Sequence, residues 1–112
     1  MGIDELIQIA SERTLRVSEI DQTAIDLGRS AEDVCDLFSR AVAQRYLAGE
    51  YSYDLADAAM NSLFSYAIPV SARALPALSW SVYIAFDEGE YREGGETVTR
   101  ELLAKVPGLI DA

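Results

Sequence analysis

From Ser30 to Gly49 apolar residues return every third or fourth position, and the ends of the run carry helix punctuation. Val34, Leu37, Phe38, Ala41, Val42 and Tyr46 fall on one stripe of a 3.6-residue spiral. Ser30 is suited to accept from the first free amides, and Glu32 and Asp33 set negative charge at the positive end of the helix dipole. Arg40 and Arg45 lie in the later half, and Gly49 suits a left-handed stop. A second helix follows almost at once. Ser52 is its cap, Asp54 and Asp57 lie in its first turns, and Ala56, Met60, Leu63, Phe64 and Ala67 form its buried face. Pro69 stops it, because proline lacks the amide donor and restricts the residue before it. So short a link predicts antiparallel packing of the two helices.

The flanks read less directly. Leu6, Ile7, Ala10 and Leu15 suit a helical face over Asp4 to Thr14. Ser18 with Asp21, and Gly28 as a stop, predict a short helix over 19–27. One bent helix, or an extended stretch from Thr14 to Val17, are the alternatives. Over Leu75–Phe86, Trp80, Val82, Ile84 and Phe86 alternate as a strand would, whereas Leu75, Leu78, Val82 and Phe86 share a helical face with Pro76 in the first turn. A sheet would lack partners elsewhere in the chain, which favours helix. Gly89 and the Gly94–Gly95 pair then break the chain. A last helix runs from Thr97 to Val106, with Val98, Leu102 and Val106 inward and Pro107–Gly108 ending it. The expected fold is all-α: one domain over residues 1–112, a compact antiparallel bundle of four to five helices.

Charge and missing residue types bound the chemistry. Nine Lys and Arg face nineteen Asp and Glu, a net charge of −10. The repulsion disfavours nucleic acid and anionic membrane surfaces and favours basic protein partners. Without histidine there is no imidazole base and no His-held zinc or haem. Cys35 stands alone, so the chain has no internal disulfide and no cysteine metal cage, in keeping with a reducing compartment. The longest uncharged stretches are fifteen residues (58–72) and thirteen (74–86), short of the roughly 20 that span a bilayer. With no basic-then-apolar leader at the N-terminus, the expected location is cytoplasmic. No cofactor or metal is expected.

Two surface patches are candidates for binding. Asp87, Glu88, Glu90, Glu93 and Glu96 against Arg92 give residues 87–96 a net charge of −4. Asp87, Glu88, Glu90, Tyr91 and Glu93 would form an edge that steers a basic protein in and fixes its register. The alternating ligands of a calcium loop are missing there. Tyr51 and Tyr53, close to Tyr46, are broad amphipathic anchors for the same purpose, while Tyr66 and Tyr83 lie elsewhere. Asn61, set among apolar neighbours, reads as a buried amide bonded to backbone. An enzyme would need a pocket with two close carboxylates of split titration. Asp54 and Asp57 are one turn apart, but nothing in the pattern marks them as buried. Ser79 and Ser81 lack a base, and Lys105 is the single lysine.

The stretch Tyr46-Leu47-Ala48-Gly49-Glu50, running into Asp57-Ala58-Ala59-Met60-Asn61-Ser62-Leu63-Phe64 and later into the aromatic segment Trp80 to Glu90, resembles small acidic helical bacterial proteins of the colicin-immunity type. The resemblance implies an all-helical fold and neutralisation of a toxin by direct binding, without catalysis. The alternatives are a homodimeric housekeeping or scaffold protein, and a carboxylate-based enzyme.

Overall fold

The computed structural model describes residues 1–67 and 75–109, which form six helices and no strand. The expected stop at Pro69 and the inward placement of Ala67 lie outside the described residues and side chains. So does the Tyr66 ring.

The first helix, α1 (Ile3–Glu12), buries Leu6, Ile7 and Ala10. It ends at Arg13, whose backbone is extended. α2 (Val17–Leu27) then begins after Arg16 and stops at Gly28, whose φ of 65° is the left-handed cap expected of it. The short helix expected over 19–27 is thus a separate element joined by an extended link, and the alternative of one bent helix is not what forms. α2 also starts earlier than Ser18, because Glu19 accepts from the Arg16 backbone N–H at 2.8 Å and binds the Arg13 guanidinium at 2.5 Å. The link is fixed from outside as well. Ser62 Oγ donates to the Arg13 carbonyl at 2.8 Å and accepts from the Leu15 N–H at 2.7 Å.

α3 (Ala31–Leu47) carries the expected cap, Ser30 Oγ accepting from the Asp33 N–H at 3.1 Å, and Gly49 beyond it has a φ of 80°. Its stripe buries Val34, Phe38, Val42 and Tyr46, with Leu37 and Ala41 only partly covered. α4 (Tyr53–Ala67) is capped by Ser52, which accepts from the Leu55 N–H. Ala56, Ala59, Met60 and Leu63 are its core residues. Phe64 sits half-buried at the rim rather than inside. α3 packs on α1, α2, α4 and α5, so Phe38, fully buried, lies at the centre of the bundle.

The strand-or-helix segment is helix: α5 (Ala77–Glu90) follows Pro76, which caps it from outside rather than occupying its first turn. Leu75, Val82 and Phe86 are buried on the face predicted for them, and Leu78 is partly covered. Ser79 is buried too, and its hydroxyl bonds Ser39 Oγ at 2.8 Å and the Cys35 carbonyl at 3.0 Å. That satisfies a polar group which otherwise costs about 1–3 kcal/mol to bury.

Gly89 does not break the chain. It lies buried inside α5, where the last helix, α6 (Gly95–Ala104), meets it backbone to backbone at Gly95. α6 begins two residues before Thr97 and ends before Val106. Its buried face is Thr99 and Leu103, one residue round from the expected Val98, Leu102 and Val106, all three of which are half-exposed. The polar Thr99 is accepted inside because its hydroxyl donates to the Ala85 carbonyl at 2.8 Å. The closing turn returns to α3: Gln44 donates to the Leu109 carbonyl and Arg40 to that of Gly108. The Cα radius of gyration is 13.1 Å, close to the roughly 13 Å of a densely packed chain of this length.

Candidate functional site

On α4, Asp54, Asp57, Asn61 and Phe64 recur at three- and four-residue spacing on the side away from Ala56, Ala59 and Leu63. On α5, Tyr83, Asp87 and Glu90 recur in the same way. The two helices pack together, so these rows meet. Asn61 Nδ2 donates to Glu90 Oε1 at 3.1 Å. Its amide thus orients a carboxylate across the helix pair, not a backbone group as expected.

One turn before Asn61, Asp57 comes within hydrogen-bonding reach of the same Glu90. Two ionised acids cannot bond each other, and Asp57 Oδ1 is buried without a donor. A proton held between the two carboxyls would satisfy both. Burial first, then the contact with Glu90, then the negative charges of Glu90, Asp87 and Asp54 push the Asp57 carboxyl up to about 8. Among the described residues no cation lies within ion-pairing distance of Asp57.

Rings border the acids. Phe64 and Tyr83 stack at 4.2 Å, and Trp80 meets both edge-on, at 5.3 and 6.0 Å between centroids. Burial, followed by the charges of Asp87 and Glu90, raises the Tyr83 hydroxyl above its ordinary value. Tyr53 is raised by burial too, with a hydrogen bond to Thr99 opposing and Asp57, Glu90 and Glu96 adding to the rise.

Of the residues chosen from sequence, Asp87 and Glu90 enter this cluster, and Tyr91 and Glu93 stand exposed beyond it. Glu88 points elsewhere and pairs with Arg92 at 2.8 Å along the helix. Tyr51 is held apart, accepting from Arg45, whose guanidinium also pairs with Asp4. Tyr53 packs its ring on Tyr46 and Phe86 and donates to the Phe86 carbonyl at 2.7 Å. Tyr46 donates to Glu96 at 2.8 Å, and burial with that bond pushes its hydroxyl up to about 12.

Asp57 is the residue that sequence reasoning weighs beside Asp54 and sets aside, because nothing in the pattern marks it as buried. Its row with Asp54 and Asn61, set opposite the alanines, is the available signal. The partner that makes it unusual, Glu90, lies on another helix.

Chemically, the pair can hold one proton near neutral pH or take up a cation in its place. A cavity of about 350 Å³ near the end of α1 is lined by Asn61, Ser62 and Ser65 but by neither acid. Among the described residues no three potential metal ligands converge, and no helix is long and apolar enough to cross a membrane. Comparison with family models, with curated proteins and with solved structures finds no match for this chain.

Proposed function

We propose that this chain is a small acidic protein-binding protein, an immunity-like inhibitor that neutralises a basic toxin by direct contact through the outer face of α4 and α5. The convergence of Asp57 and Glu90, with Asp87 and Asp54 behind them and no described cation beside them, carries this reading. Gathering like charges at a half-buried place costs stability, and a lysine or arginine from a partner removes that cost by replacing the shared proton. Exposed Tyr91 and the stacked rings of Phe64 and Tyr83 supply rigid apolar area beside the charge. The reading takes the bundle as antiparallel, the location as cytoplasmic and the action as binding rather than catalysis.

The test is capture from native lysate at low salt, with the triple variant Asp87→Lys, Glu90→Lys, Glu93→Lys beside the unaltered chain. A basic protein retained by the first, lost by the variant and released as salt screens the charges is the expected result. Equal capture by both proteins refutes the reading.

A further inference from the structure

Roughly a third of a turn round α5 from the acid cluster, the same helix shows a different surface. Ile84, one turn after Trp80, is 48% exposed, and with Leu102 of α6 and Lys105 just past its end it lines two adjoining hollows of about 250 and 410 Å³. Their floor is apolar: Ala85 and Val106 in one, Val98 in the other. Their rim carries Glu88 and Glu101 against Arg92 and Lys105.

Those four charges cancel, so the rest of the chain holds the whole net charge of −10. A second copy therefore meets a locally neutral rim here rather than a wall of like charge. Glu101 on α6 and Lys105 just past its end lie four residues apart, yet neither forms an ion pair with the other or with any described residue. Both remain available across a contact. The ridge that a hollow needs stands one turn before Ile84 on α5. Trp80, 38% exposed, is held edge-on by Phe64 and Tyr83, so docking it costs little ordering entropy. Ridge beside groove on one surface is the self-complementary arrangement that a two-fold contact requires.

We infer that the α5–α6 groove is the face through which two copies of this chain pair about a two-fold axis. Trp80 and Ile84 of each copy lie over Leu102 of the other, with Glu101 opposite Lys105 of the second copy. The inference goes beyond the proposed inhibitor role and does not depend on it, because Asp57, Asp87 and Glu90 stay uncovered.

Sedimentation velocity over a dilution series tests it on the full chain. The expected result is a dimer that persists at high salt, and a Leu102→Asp variant whose dissociation constant rises about thirtyfold or more with its helical circular dichroism intact. Glu101→Lys and Lys105→Glu touch no core residue, so they remain informative even if Leu102→Asp unfolds. Each alone should weaken pairing about tenfold, and mixing the two should restore it, because both cross-axis pairs then regain opposite charge. A chain that stays monomeric, or whose groove is taken instead by a different protein or a small apolar molecule, overturns the inference. So does a dimer indifferent to Leu102→Asp, or a mixture that does not recover.

Discussion

Replacing Asp57 by asparagine isolates the cost of the acid pair. In the unfolded chain an aspartate ionises near 4, whereas in the folded protein burial and Glu90 hold the Asp57 proton up to about 8. Between those values the folded state binds the extra proton, so stability is fullest below the unfolded value and falls as pH rises through the folded one. Four pH units at about 1.4 kcal/mol each set a ceiling of roughly 5–6 kcal/mol for a dry site. Asp57 is only half-buried, and solvent screening reduces this to about 1–3 kcal/mol. The asparagine side chain keeps the shape, carries no charge, and offers Glu90 the kind of amide donor that Asn61 already supplies. Urea unfolding of both proteins at about pH 5, 7 and 9 measures the difference. The natural protein should lose about 1–3 kcal/mol relative to Asp57→Asn between the ends of that range. The hydroxyls of Tyr53 and Tyr83, both raised by burial, face the same spot in both chains. Parallel stability curves would show that no proton is held between the acids.

Three further substitutions probe the frame that presents this site. Gly89→Ala would set a methyl group 2.6 Å from the Tyr53 hydroxyl and 2.7 Å from the Gly95 carbonyl, and closer still to Thr99 Oγ1. Against a helix-propensity gain of about 1 kcal/mol, overpacking at three contacts should leave a net loss of at least about 2 kcal/mol in urea unfolding. Phe38→Ala, at a fully buried ring, should cost about 3–5 kcal/mol, and Phe64→Ala, at a half-buried one, about 1–2 kcal/mol; equal losses would mean the rim is core. Ser62→Ala removes the bridge to Arg13 and Leu15 and should cost about 1–3 kcal/mol, with amide exchange accelerated at Leu15 before the centre of α3.

The helices legible in sequence are those whose cap, stripe and stop lie in one continuous segment. α3 has Ser30, the Val34-to-Tyr46 stripe and Gly49 within one run, and all three act as expected. α5 is ambiguous in sequence because it packs on α3, α4 and α6 while leaving Trp80 and Ile84 outside, so apolar residues surround most of it and no single period dominates. On α6 the apolar pattern selects Val98, Leu102 and Val106. The packing selects Thr99 and Leu103, because periodicity sees which residues dislike water but not which carbonyl waits across the interface for a hydroxyl. Gly89 misleads for a related reason. A glycine that ends a helix and one that lets two helices touch look alike until the neighbour is known. The same distinction separates the two halves of the acid cluster, since Asp87 and Glu90 advertise themselves in a local run of charge whereas Asp57 becomes unusual only through contact with another helix.

α5 thus carries two outer surfaces with opposite physical character, and their separation matters for what each can do. A contact driven by apolar area keeps its strength as salt rises, while capture driven by unpaired acids weakens. Pairing through Ile84 and Leu102 would leave Asp57 and Glu90 of both copies in water, doubling the negative charge that draws a cationic protein without bringing the two acid clusters together. The row that sequence periodicity assigns to the interior, Val98, Leu102 and Val106, would then have a reason to be apolar while half-exposed: the second copy, rather than the fold, would bury it. Substituting Leu102 should accordingly change the oligomeric state much more than the unfolding free energy of the monomer. Leu103, one position on and fully buried, should do the reverse.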